Sequence, residues 1–282
     1  MQLRPQNLVV VPRDTSIPPV PLQQIILLSI SVLAIAAGSL SPVLLWQTTG
    51  VGAGLLLGAA TIFCERRASI NMLPKRGTVI STPLGAAYAS IALLLIGVMT
   101  EIFVPYFLQT LHGHNPLTAG YLTAAMAAGW SLGSLLFSGH GNIGAARLLR
   151  AGPALCTVSL LVLAALLPYK LGLSANWHMA LTALALTGAG AGVGIGWPHL
   201  VTRVLTVAPP GEESTASAAI TTVQLYGMAI GAAIAGLVVN AAGITAPGGA
   251  AGAQSAAVWL FLSFALAPAL AMLLARRLSP RV

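Results

Sequence analysis

Eight apolar stretches, each long enough or nearly long enough to cross a bilayer, follow one another along this chain, at roughly 22–45, 48–64, 84–108, 115–138, 151–168, 177–202, 215–241 and 255–275. A spanning helix needs about 20 mostly apolar residues, and inside hydrocarbon a backbone satisfies its own polar groups only as a helix or a closed barrel. Runs this long and continuously apolar are helical. Charged residues make up 6% of the 282 residues, against about 25% in a soluble domain, and the mean hydropathy is +0.89. A water-facing surface cannot be built from so few charges. The expected fold is therefore an all-α integral membrane protein with about eight transmembrane helices. A cytoplasmic tail (1–21) leads into a two-helix membrane segment (22–64), a cytoplasmic linker (65–83), a six-helix bundle (84–275) and a second cytoplasmic tail (276–282).

The charges give this string of spans a direction. Short loops rich in Lys and Arg stay in the cytoplasm. With the N-terminus inside, Arg4 and Arg13, then Arg66, Arg67, Lys75 and Arg76, then Arg147 and Arg150, then Arg203, and finally Arg276, Arg277 and Arg281 all fall on the cytoplasmic side, leaving only Lys170 outside. The net charge of +8 is thus spread over loops, with no basic patch interleaved with aromatics, which argues against a nucleic-acid partner. The N-terminal residues are polar and Pro-rich, without the apolar core of a signal peptide. Trp46, Trp177 and Trp259 fall near predicted outer ends as interface anchors, while Trp130 and Trp197 lie deeper and are expected to pack against helices.

Within the six-span bundle, three spans on either side of the midpoint must have opposite orientations, the arrangement of an inverted repeat. Small residues are dense, with 30 glycines, and let membrane helices approach closely. The run GAGAGVGIGW places Gly188, Gly190, Gly192, Gly194 and Gly196 inside one span. Lying in an apolar span, it is not a nucleotide-binding loop. The glycines serve either close packing or helix bending, and Gly192, Gly194, Gly196, Pro198 and Pro105 are the bending candidates, since proline removes a helical hydrogen bond.

Glu101, in GVMTEIFVPYFLQ, is the one acidic residue well inside a predicted span. A carboxyl there must face a cavity, meet a cation or stay protonated, which makes it the proton-coupling candidate, with a carboxyl near the outer interface that reaches water as the competing reading. Gln109, Gln224 and Tyr226 are substrate-pathway candidates, with interhelical hydrogen bonding as the competing role. Asn240 is expected to cap a helix or meet headgroups. His112 and His114 have no third ligand nearby, Cys64 and Cys156 lack metal-ligand spacing, and no hydrolase, phosphate-loop or intramembrane-protease constellation is present. No metal, no cofactor and no catalytic residue is expected.

In order and spacing, several stretches resemble the major facilitator superfamily, in particular its fourteen-span drug/proton antiporter branch. FCERRASINMLP is similar to the linker after that branch's extra helical pair. EIFVPYFLQTLHGHNPLTAGYL is similar to the segment that follows. GAGVGIGWPHLVTRVL and GEESTASAAITTVQLYGMAIGAAIAG are similar to its last inner loop and flanking helices. The resemblance covers about residues 25–275 and implies the linker pair plus the C-terminal half of such a transporter, with the six N-terminal spans missing. It also implies a cytoplasmic gating loop at SGHGNIGAARLLR, with Gly139, Gly144, Arg147 and Arg150 as its candidates, although the acidic residue of the family motif is absent. The function it implies is proton-coupled export of a small amphipathic molecule across a bacterial inner membrane, with the lipid bilayer, substrate, protons and a second six-helix half or a homodimer as partners. The alternative is a truncated or split membrane protein without transport of its own.

Overall fold

The computed structural model describes residues 20–39, 41, 43–139 and 141–278. Most of the N-terminal tail, including Arg4 and Arg13, and the end of the C-terminal tail, including Arg281, lie outside the described residues. All the described secondary structure is helical: α1 (Leu22–Ser39), α2 (Leu44–Glu65), α3 (Pro83–Val98), a 3₁₀ turn (Met99–Phe103), α4 (Val104–His112), α5 (Pro116–Phe137), α6 (Asn142–Leu166), α7 (Ala175–Val207), α8 (Glu213–Ala241) and α9 (Gly249–Leu278). The third span is the composite of α3, the turn and α4, so the described residues form eight long helical segments. Seven are long and apolar enough to cross a bilayer by composition; α5, diluted by Thr, Ser and Gly, falls short although it is embedded among them.

Helix starts are dictated locally. Thr82 caps α3, its hydroxyl accepting the Gly85 N–H at 3.1 Å, and Asn115 caps α5, its side-chain oxygen accepting the Thr118 N–H at 2.8 Å. Each cap is followed by a proline, whose missing N–H costs nothing in the first turn. Helix ends depart from the apolar runs where cations take over. α6 begins at 142 rather than 151, so Arg147 and Arg150 ride on its first turns, and α9 continues to Leu278 through Arg276 and Arg277. Hydropathy marks the limit of the apolar layer, whereas the helix ends where its hydrogen bonds end, and long cationic side chains bridge the difference.

The bundle core is aliphatic and aromatic: Ile91, Leu94, Phe107, Leu160, Leu186 and Phe261 are fully buried. The outward surface is also aliphatic, with Leu56 74% and Leu135 75% exposed, the inverse of a soluble fold and the signature of a lipid-facing one. α3 packs on α8 and α9; α7 packs on α5 and α6; α6 meets α9, and α3 meets α7. Exchanging α3 with α7, α5 with α8 and α6 with α9 returns these same pairs, although α8 also packs on α9 where α5 makes no comparable contact with α6; the two triplets run in opposite senses. The helical pair α1–α2 leans on α8, held by Ser31–Tyr226 at 2.9 Å and by Asn240 donating to Gln47 at 2.7 Å. Asn240 thus bridges α8 to α2 rather than capping its own helix.

One end of the bundle is tied together by Lys75, whose backbone N–H donates to Glu212 at 2.7 Å, and by Arg277, which donates to the Ile80 carbonyl at 3.0 Å. The described arginines collect at this end. At the opposite end sit Lys170, His112 and His178, with His112 on the Leu167 carbonyl at 2.8 Å and His178 on that of Leu166 at 2.9 Å. The basic residues therefore segregate in space as they do in sequence.

Candidate functional site

Pro105 determines how Glu101 is presented. In a continuous helix its N–H would bond to the carbonyl of Glu101, four residues earlier, and proline has none. The Glu101 carbonyl is taken instead by the Val104 N–H in a 3₁₀ bond, and residues 99–103 tighten into a separate turn. The α-helix is therefore interrupted just before the proline, in the turn that carries Glu101. Thr100 is fully buried on one side of the turn and Ile102 is exposed on the other.

Glu101 faces a cleft of about 370 Å³. Its floor is Leu95, Val98 and Met99 from α3 and the turn. One wall is Met126, Ala127, Trp130 and Ser131 of α5, and the other is Gln224 and Met228 of α8. Among the described residues no cation or hydrogen-bond donor reaches the Glu101 carboxylate. The cleft thus joins one carboxyl, one amide and one hydroxyl to a largely apolar lining with an indole. Such a surface can hold an amphipathic molecule by its apolar body and orient it by a few polar contacts.

The glycine run of α7 positions the α5 wall. Residues two apart on a helix differ by about 200° in direction, so the five alternate glycines form two stripes on nearly opposite faces. Gly190 and Gly194 receive the carbonyls of Met126 and Trp130 on α5; Gly188 and Gly192 receive Ser159 and Cys156 on α6. Gly196 has no neighbour that a methyl group would touch closely. α7 remains one continuous helix through Pro198. The close approach also brings Trp130 against Trp197, with ring centroids 5.2 Å apart, so the expectation of packing for these two indoles holds and one of them also lines the cleft.

Of the sequence candidates, Glu101 and Gln224 come together. Gln109 and Tyr226 do not join them. Gln109 is exposed and donates to the Pro105 carbonyl at 3.1 Å. Tyr226 lies on the other side of α8, its hydroxyl seated in the notch left by Gly58. Arg147 and Arg150 are exposed on the first turns of α6, with Gly144 one turn earlier and Gly139 in the preceding turn with open space around it. Sequence reading missed Ser131, Met126 and Met228 as cleft residues, since nothing in an apolar helix marks which face meets a void. Glu65, the last residue of α2, is also shielded, just 2% exposed. Among the described residues no cluster of three His, Cys, Asp or Glu side chains could hold a metal ion.

No protein-family model matches the chain. Two curated proteins of Mycobacterium tuberculosis, from strains CDC 1551/Oshkosh and ATCC 25618/H37Rv, are each named a probable multidrug-efflux transporter. Each is 35% identical to this chain over 255 residues, covering 87% of the chain and 50% of the relative. The chain spans about half the length of the curated relatives it matches.

Proposed function

We propose that this chain forms the helical pair and six-helix half of a major-facilitator-type secondary transporter, and that it exports a small amphipathic molecule in exchange for protons. The observation that carries the reading is the convergence of Glu101 and Gln224, far apart in sequence, in one cleft between α5 and α8. The inverted relation of the two helix triplets and the similarity to proteins named for multidrug efflux support it. In this reading Glu101 exchanges its proton as substrate enters, because a carboxylate in an apolar cleft is tolerated only while a cation or water balances it. Gln224 and Ser131 orient the polar part of the substrate, and Trp130, Met126 and Met228 hold its apolar body.

The cleft is walled on one side of the pathway only. The opposing wall would come from a second bundle, supplied by a longer chain, a partner half or a second copy. Rocking of the two bundles would alternate access, with the 3₁₀ turn before Pro105 and the glycine-rich α7 as the deformable elements and the Gly139–Arg150 turn as the cytoplasmic gate. The basic end faces the cytoplasm of a bacterial inner membrane, both chain termini with it, as short basic loops direct.

The test is transport in proteoliposomes carrying the native protein with an imposed pH gradient. Glu101→Gln is expected to abolish substrate movement driven by the gradient while leaving the protein folded. Unchanged uptake and unchanged pH dependence would overturn the assignment. A folded wild-type chain that moves neither substrate nor protons alone, yet does so when co-reconstituted with a second bundle, would place it as a half-transporter.

A further inference from the structure

A second cavity lies on the far side of α8 from the cleft, where the helical pair leans on the bundle. It measures about 290 Å³ and runs from the linker, at Met72 and Leu73, up between α2, α3 and α8 to Ile96 and Ile230. Its walls are almost wholly apolar. Most of its few polar side chains are already engaged: Tyr88 donates to the Ala216 carbonyl at 2.9 Å, Tyr226 shares a hydrogen bond with Ser31 at 2.9 Å, and Thr61 donates to the Leu57 carbonyl at 2.9 Å.

Glu65 is different. Its Oε1 accepts the Leu73 N–H, which pins the linker, but its Oε2 is buried without a hydrogen-bond partner. The Met72 N–H and the Gln24 amide also approach the carboxylate, Gln24 giving one of its amide hydrogens to the Ile70 carbonyl at 2.8 Å, but neither meets Oε2 at hydrogen-bond distance. The neighbouring arginines are committed elsewhere. Arg66 turns to Thr78, donating to its hydroxyl at 3.2 Å and to its carbonyl at 2.9 Å. Arg67 lies over the Phe63 ring at 4.0 Å. Two arginines adjacent in sequence are thus held off the carboxylate, and an unmet acceptor lines an apolar void. A buried acceptor left unpaired is costly, and a cationic donor would meet it most strongly.

We propose that this cavity is a binding site for an ammonium-bearing amphiphile, with the ammonium on Glu65 Oε2 and the hydrocarbon part along Ala89, Ala92 and Ile230. The site is separate from the Glu101 cleft and does not depend on the transport reading. The same chemistry is offered by an aminophospholipid of the adjacent leaflet and by a free alkylammonium compound.

The test is native mass spectrometry of the full chain in a maltoside detergent, with phosphatidylethanolamine or dodecylammonium added singly. Phosphatidylglycerol and dodecanol serve as controls lacking the ammonium. Wild type is expected to retain at least one ammonium probe in preference to its control, and the probe retained more tightly in competition identifies the natural source. Glu65→Gln preserves shape and the acceptor for Leu73, and it should weaken that retention about tenfold or more, as loss of a charge-assisted hydrogen bond implies. Ala89→Leu, which fills the void without touching the carboxylate, should weaken it as well and decides the matter if Glu65→Gln fails to fold. No preference for either ammonium probe, or retention undiminished in both variants, would overturn the site and leave Glu65 as an anchor of the linker alone.

Discussion

At the scale of single residues, side chains of one type separate according to what they meet. Gly190 and Gly194 each face a backbone carbonyl of α5, where even a methyl group would overlap, whereas Gly120 and Gly139 face open space. Gly190→Ala and Gly194→Ala are therefore expected to lower stability by about 1–3 kcal/mol, the usual cost of overpacking, while Gly120→Ala stays within about 0.5 kcal/mol of wild type, as for an uncrowded surface site. Thermal unfolding in detergent, followed by circular dichroism, distinguishes them; equal losses at Gly194 and Gly120 would refute the two-stripe account of α7. The hydroxyl of Tyr226 is a second case. Tyr226→Phe removes its bond to Ser31 and should loosen the helical pair by about 1 kcal/mol, the net worth of one hydrogen bond. The same unfolding assay reads it, and no loss would mean that the hydrogen bond to Ser31, which already donates to the Gly54 carbonyl at 2.7 Å, adds nothing to the seating of the pair.

At the scale of elements, the broken third span and the linker carry the predictions. Pro105→Ala restores the N–H that can close on the Glu101 carbonyl, so the 3₁₀ turn should relax toward continuous helix and swing Glu101 out of the cleft. Spin labels at positions 84 and 112, measured by pulsed electron resonance, should then change their separation, and an unchanged distance would show that the α4–α9 packing rather than the proline holds the turn. In the linker, Lys75 and Glu212 form an ion pair of 3.9 Å, with the Lys75 side chain 80% exposed. Such pairs contribute about 0–1 kcal/mol. Glu212 also accepts the Lys75 N–H, so Glu212→Ala should cost more than Lys75→Ala; melting curves showing the reverse order would mean that the ammonium is the main tie.

At the scale of the whole molecule, the basic end and the Lys170 end lie on opposite faces of the bundle, and a bilayer must separate them. In a background lacking Cys64 and Cys156, Lys75→Cys should react with a membrane-impermeant maleimide only after cells are opened, and Lys170→Cys in intact cells. Labelling of both in intact cells would reject the orientation. Much of this architecture was legible in the linear chain. Span count and the segregation of charge depend on local composition, because the bilayer acts on each segment separately. Helix ends were less legible, since Arg147 and Arg150 continue a helix beyond the apolar run that announced it. Of the site, Glu101 could be found, because a carboxyl set within an apolar run is too costly to persist there facing lipid. Gln224 could not be separated from Gln109 and Tyr226, since all are isolated polar residues in apolar surroundings, and only the packing shows that one faces the cleft, one faces outward and one faces the helical pair. Glu65 was hidden at the end of its run beside two arginines that would ordinarily have neutralised it. The sequence by itself determined that the chain is built of membrane-length apolar helices with its cations gathered between them, because solvent partition is decided segment by segment. The tertiary structure alone decided which glycine meets which neighbour, which polar side chains share a cleft and which carboxylate oxygen is buried without a partner, because those depend on the face each helix turns toward the next.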